Sequence, residues 1–277
     1  MQIGIMARTF VRPTLEETLD AVADHGTQCI QFNFTCAGLP DMPDEIDPDL
    51  CDKIREEIAA REMTIAALSG TYNMIHPDVQ EREDGLRKLG VLASVCHRLD
   101  TSVITLCTGT RDRGSMWRRH PDNDLPEAWD DLVVEMRKAL EIAAENDVVL
   151  AFEPEVSNTV DSAVKARRLL DQMESPHLKV VMDPANIFHK GELPRMREMI
   201  DEAFQLLGGD IAIGHAKDLD RDGAAGHLAA GKGLLDYEQY VSLLGKVDFD
   251  VPLILHGLSE TEVDGCVAFL QSLIEMD

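Results

Sequence analysis

VVLAFEPEVSNTVDSAVKARRLLDQMESPHLKVVMD, residues 148–183, reads as one strand–helix–strand unit with a carboxylate closing each strand. Its two apolar runs, VVLAFE and LKVVMD, end at Glu153 and Asp183. A short apolar run bounded by polar loops reads as a strand buried on both faces of a parallel sheet. Two later runs repeat the arrangement: DIAIGH ends at His215 and VPLILH at His256. A carboxylate or imidazole in such a place is costly unless it is paired, hydrogen-bonded or bound to a metal. Consecutive strands, each about one strand–helix unit apart, bring the four ends to one rim, which is how a (β/α)8 barrel builds an active site.

The same alternation runs through the whole chain. Strands are predicted over 2–6, 29–34, 64–69, 102–107, 148–153, 179–183, 211–215 and 251–256. Helices are predicted over 15–25, 48–62, 80–98, 125–146, 160–173, 194–207, 237–244 and 260–276. Leu86, Leu89, Leu92 and Val95 show the three-to-four-residue apolar spacing of an amphipathic helix. Thr14 with Glu17, and Ser259 with Glu262, have the spacing of a capping box. Eight such units imply a parallel sheet. No GxGxxG follows the first strand and no P-loop is present, which argues against an open dinucleotide- or nucleotide-binding sheet. The expectation is an α/β fold, a single-domain (β/α)8 TIM barrel over 1–277, a length close to the roughly 250 residues usual for that fold. The longer connections follow strands, on the face where such barrels carry function.

Composition removes several classes of function. With 51 acidic against 26 basic residues the net charge is −25, unsuited to binding a phosphate backbone through Lys and Arg. No stretch has the length of apolar sequence a membrane span needs, and MQIGIMA does not read as the start of a signal peptide. The six cysteines form no CxxC pair; Cys29, Cys96, Cys107 and Cys266 lie in apolar surroundings, the usual place of a small core thiol. Reduced cysteines and a cytoplasmic location are expected.

Glu153, Asp183, His215 and His256 offer two carboxylates and two imidazoles. Mixed O/N ligation without a thiolate suits one divalent ion, Mn²⁺, Co²⁺, Mg²⁺, Fe²⁺ or Zn²⁺. Such an ion polarises a carbonyl, acidifies the neighbouring C–H and stabilises an enediolate. Any one of these residues alone reads better as a helix cap or loop tether; four in consecutive strands read as a metal site. Lys217 and Asp218 follow His215, the lysine placed to hold a substrate oxyanion and the aspartate to orient a ligand imidazole. Asn186, just past Asp183, is placed to bond a substrate hydroxyl. Glu155 reads as a loop residue or a second acid/base group. Asn73, His76, Trp117 and His120 lie on loops after the third and fourth strands, where aromatic and imidazole groups cover a sugar and exclude water. Arg111 joins Lys217 as a candidate for phosphate. His25, His97 and His177 fall on the opposite side, and His189 and His227 have no further support.

The motifs AFEPE at 151–155, MDPAN at 182–186, HAKD at 215–218 and GKGLLDY at 231–237 resemble the xylose isomerase-like barrel superfamily, in particular its sugar phosphate isomerase/epimerase members, over essentially the whole chain. In that family's keto-sugar epimerases, Glu, Asp, His and Glu on strands five to eight hold one divalent ion, and the two glutamates shuttle the proton. The matching positions here are Glu153, Asp183, His215 and His256, so a histidine replaces the second glutamate. The resemblance implies a divalent-metal-dependent isomerase/epimerase of a sugar or sugar phosphate that acts through an enediolate, with Glu153 and His256 as its catalytic residues. A lyase or dehydratase acting on a keto-sugar or cyclitol is the alternative, because the same intermediate can expel a β-substituent. A barrel that has lost its chemistry, and an endonuclease-like phosphoesterase, are the remaining readings. A small carbohydrate is the expected partner, with neither nucleic acid nor membrane; homo-oligomerisation stays open.

Overall fold

The computed structural model describes residues 1–247 and 250–275. Its barrel strands are β1 (Ile3–Met6), β2 (Cys29–Phe32), β3 (Thr64–Ser69), β4 (Val103–Cys107), β5 (Val149–Glu153), β6 (Leu178–Met182), β7 (Ile211–Asp218) and β9 (Leu253–Leu255). Each pairs in parallel with the next, and β9 pairs with both β7 and β1, so the sheet closes. Among the described residues eight α-helices surround it: α1 (Leu15–Ala23), α2 (Pro48–Ala59), α3 (Val79–Val95), α4 (Pro126–Glu145), α5 (Ala163–Met173), α6 (Met196–Leu207), α7 (Tyr237–Gly245) and α8 (Val263–Ile274). The result is a single-domain (β/α)8 barrel.

The larger core lies between sheet and helices; Phe10, Phe32, Phe34, Phe152, Phe188 and Tyr240 are its largest fully buried side chains. A second, smaller core fills the barrel itself. Met6, Cys29, Ala67, Ala151, Val181, Ile213 and Ile254 pack there, with Val103 against them. The residues are mostly small or β-branched because eight strands converge on little space. Gly4 shows how little: a Cβ there would stand 2.6 Å from both Cys29 Sγ and Ile254 Cδ1.

Several boundaries differ from those the sequence predicts. The strand predicted over 29–34 stops at Phe32, and a 3-10 turn begins at Phe34. The helix predicted from Val160 starts at Ala163, because Ser162 Oγ accepts the Lys165 amide and caps it. The helix predicted over 80–98 gives way after Val95 to a 3-10 turn over His97–Leu99. The last helix opens as a 3-10 turn, Glu260–Glu262, with the complete Ser259–Glu262 capping box; Met276, where it was predicted to end, lies outside the described residues. Thr14 does accept the Glu17 amide, but the Glu17 carboxylate accepts from the Thr14 hydroxyl. The largest difference is at β7, which runs past His215 to Asp218. A short extra strand, β8 (Leu228–Ala229), pairs with its end in antiparallel fashion, Lys217 opposite Ala229. Lys217 is therefore a strand residue, not the loop residue its sequence position suggested.

Candidate metal and substrate site

Side chains alternate faces along a strand, so the residue two positions beyond an inward-facing one also faces inward. Applied to the inner core, this rule gives a ring of polar residues one step up the barrel. Met6, Cys29, Ala67, Val103, Ala151, Val181, Ile213 and Ile254 are followed by Arg8, Gln31, Ser69, Thr105, Glu153, Asp183, His215 and His256. Every barrel strand leads to one member: Gln31, Ser69, Thr105, Glu153 and His215 lie within their strands, Asp183 and His256 just past theirs, and Arg8 in the 3-10 turn Ala7–Thr9 beyond β1. The apolar layer forms the floor, and the polar ring lies at the C-terminal ends of the strands.

Within the ring, Asp183, His215 and His256 each offer a ligand atom, and these atoms lie within 4.8 Å of one another. Asp183 Oδ1 accepts the Ala185 amide at 3.0 Å and caps the 3-10 turn Pro184–Asn186. Its Oδ2 is buried without a hydrogen bond, as are His215 Nδ1 and His256 Nδ1. The other nitrogen of His215 is occupied: Nε2–H donates to Gln31 Oε1 at 2.9 Å. Gln31 is itself oriented, since its Nε2 donates to Ser69 Oγ and Thr105 Oγ1, both at 3.0 Å. This chain fixes the His215 tautomer and leaves the Nδ1 lone pair facing the cluster. Buried polar atoms without a hydrogen bond are rare; one on each of three residues whose ligand atoms converge fits a divalent cation.

Glu153 stands beside this triad. Its Oε1 accepts from Asn186 Nδ2 at 2.6 Å and lies 3.5 Å from His215 Nδ1. Lys217 Nζ is 3.3 Å from Asp183 Oδ2 and 4.0 Å from Glu153 Oε1. One buried ammonium thus faces two buried carboxylates, and the cluster is one positive charge short. Burial pushes Glu153 up, but Lys217 and His215 outweigh it and hold the carboxyl well below the usual range. At Asp183 burial prevails: against Lys217, and helped by the charge of Glu153, it raises the carboxyl to about 6. Burial disfavours the Lys217 ammonium, yet Asp183 and Glu153 more than restore it. Burial, then Lys217 and His215, push His256 well down, so its ring is neutral and able to ligate.

A cavity of about 130 Å³ opens above the ring, lined by Arg8, Gln31, Asn33, Asp41, Glu153, His215, His256 and Trp117 among others. Through Thr71, Met116 and Trp117 it adjoins a wider groove of about 460 Å³ that holds Asn73 and His76. Of the residues the sequence put forward for substrate, Trp117 alone lines this inner cavity. Asn73 bonds the backbone of Thr110 through both amide atoms. His120 caps the turn Pro121–Asp124 away from the cavity. Asn186 is fully buried, holding Glu153 and accepting the Gly226 amide. Arg111 is committed to the Ile75 and Glu127 carbonyls and to Asp131. Asp218 does not orient an imidazole; it accepts the amides of Leu219, Gly231, Gly233 and Leu235 and so shapes the loop that carries the GKGLLDY motif. Glu155 is buried, and burial together with Glu153 raises it to about 7. Gln31, Arg8 and Asn33 were missed in the sequence. Their signal is parity: in CIQFNF, Gln31 and Asn33 are alternate polar residues in an apolar run.

Residues 19–267 match a family model described as xylose isomerase-like TIM barrel. Among solved structures, an L-ribulose 3-epimerase superposes with a TM-score of 0.76 at 16% identity, over 99% of this chain and 95% of its own. The probable 3-DHS dehydratase AsbF of Bacillus anthracis does so with 0.74 at 15%, over 98% and 99%. The IOLI protein with a bound zinc atom gives 0.73 at 15%, over 100% and 99%. At these identities the likeness is one of fold. No curated protein sequence matches the chain. Among the described residues no helix is long and apolar enough to cross a membrane.

Proposed function

Because the chain belongs to the xylose isomerase-like TIM barrel family, we propose that it is a divalent-metal-dependent isomerase or epimerase of a small carbohydrate, acting through an enediolate. The observation that carries this reading is the convergence of Asp183, His215 and His256 with an unbonded buried atom on each. A divalent ion held there, with Glu153 as a fourth ligand or neighbour, supplies Lewis-acid polarisation of a carbonyl. Glu153, ionised and steered by Asn186, is the base that takes the proton from the carbon next to that carbonyl. Lys217 opposes the effect of burial on both carboxylates. His256, neutral at the cavity wall, completes the ligand set. The zinc in the IOLI structure supports a metal, and the epimerase among the similar structures supports a carbohydrate.

A lyase is the second reading. Glu153 and Asp41 are the carboxylates lining the inner cavity, and only Glu153 belongs to the polar ring. One base suffices to form the intermediate and expel a β-hydroxyl, whereas epimerisation needs a proton returned on the opposite face.

Incubation of the metal-loaded protein with a panel of ketoses in D2O tests the proposal. An isomerase or epimerase leaves deuterium on carbon at constant composition, and a lyase sheds water or an aglycone. Glu153→Gln is expected to slow exchange by about 10²–10⁴-fold. Plasma mass spectrometry should find a stoichiometric divalent ion that Asp183→Asn loses. Wild type that binds no divalent ion, or exchanges no carbon-bound proton with any ketose, returns the chain to the non-catalytic reading.

A further inference from the structure

We propose that the substrate carries an anionic oxygen group, a carboxylate or a phosphate, that is bound by Arg8 with Asn33 beside it. This rests on the carbohydrate reading above and narrows it. Arg8 sits in the 3-10 turn Ala7–Thr9 that follows β1, two positions past the inner-core residue Met6, and lines the cavity with Glu153, His215 and His256. It is exposed, and among the described residues it makes no ion pair and donates no side-chain hydrogen bond. Other basic side chains, Arg113 and Lys190 among them, are likewise unpaired among the described residues, but Arg8 is the basic residue that lines this cavity. The two cations the sequence put forward for phosphate are engaged, Lys217 with Asp183 and Arg111 with Asp131 and two carbonyls.

Asn33 supplies an independent observation. It continues the inward parity of Gln31, is 1% exposed and lines the same cavity. Its Nδ2 donates to Asp41 at 3.3 Å, while its Oδ1 is buried with no partner. A buried acceptor left unpaired calls for a donor, and a sugar hydroxyl supplies one. Asp41 also faces the cavity, but it is tied to Asn33 and leaves the guanidinium unpaired. A planar fork of donors is suited to a carboxylate or phosphate. Arg8, His215 and His256 line one small cavity from different parts of the barrel rim, so the anion and the reacting carbonyl belong to one short molecule.

Three ketoses that differ only at carbon 6 test this: D-fructose, D-fructuronate and D-fructose 6-phosphate. Binding to the Mn²⁺-loaded protein is read by calorimetry, without turnover. Wild type is expected to favour one of the two anions over D-fructose by about tenfold or more. Which anion wins distinguishes carboxylate from phosphate. Arg8→Met should erase that advantage while leaving D-fructose binding and the melting temperature unchanged; Arg8→Lys should restore part of it. Asn33→Leu should weaken all three ketoses alike. No anion preference in wild type, a preference that survives Arg8→Met, or one erased by Asn33→Leu instead, overturns the proposal. The same calorimetry repeated without metal separates the two: failure of the metal-dependent reading registers as missing deuterium exchange, whereas the Arg8-dependent anion preference should persist in metal-free protein.

Discussion

At the scale of single residues, Gln31 links the inner barrel to the site. Its carbonyl receives the His215 Nε2–H and its amide satisfies Ser69 and Thr105. Replacing it by Met leaves one imidazole N–H and two hydroxyls without that partner and frees the His215 tautomer. Loss of such an outer partner commonly costs about 10–100-fold in metal affinity. We expect Gln31→Met to weaken Co²⁺ binding by that factor in a competitive titration, with Gln31→Glu recovering most of it. Equal affinity in all three proteins would mean that His215 is oriented by packing alone. Glu153, Asp183, His215 and His256 were legible in the sequence because each closes an apolar run. Gln31 was not, because one amide inside a strand looks like an ordinary buried polar residue until its partners on β3, β4 and β7 are known. Lys217 was misplaced for a related reason: the strand signal fades at His215, and only the pairing with β8 carries β7 further.

At the scale of elements, the strand and helix order was readable from periodicity, while the loops on the functional face were not. Asp161 is the clearest case. It sits in the β5–α5 connection, where its sequence context is that of a solvated acid, yet it is buried. Its Oδ2 lies 2.8 Å from Lys165, 3.4 Å from Arg119 and 3.7 Å from His189. Arg119 belongs to the β4–α4 connection and His189 to the β6–α6 connection, so one carboxylate ties three loops over the rim. Burial alone would raise Asp161, but His189 and Lys165 prevail and bring it from 3.8 to about 2. A depressed carboxyl stabilises fully above its unfolded value and loses that contribution as the pH falls through the folded one. His189 is raised above 6.5, chiefly by Asp161, so its share is complete below 6.5 and fades above its raised value. Asp161→Asn should therefore cost up to about 2 kcal/mol. The gap in melting temperature should be widest between pH ~4 and ~6.5 and close toward pH 2. A pH-independent gap would assign the loss to packing instead.

At the scale of the whole molecule, the surface is dominated by one sign of charge. Even if each of the 26 basic groups neutralised one acid, 25 of the 51 acidic groups would remain without a counter-charge. Ion pairs such as Arg61–Asp20, Arg98–Asp52 and Arg167–Asp210 offset repulsion locally, and exposed pairs contribute about 0–1 kcal/mol each. Salt weakens both these attractions and the long-range repulsion, so the sign of its net effect shows which dominates. Repulsion among the surplus acids acts over many pairs and falls on the compact state more than on the expanded one. The screening length drops from about 30 Å in ~0.01 M salt to about 8 Å at ~0.15 M. We expect the melting temperature to rise by several degrees over that interval in NaCl and then to level off, because repulsion at the spacing of neighbouring surface charges is by then largely screened. A melting temperature that falls with salt would mean that the ion-pair network outweighs the excess charge. One that keeps climbing well beyond ~0.15 M, where little long-range repulsion is left to screen, would point to strengthened burial of apolar surface rather than to relief of charge.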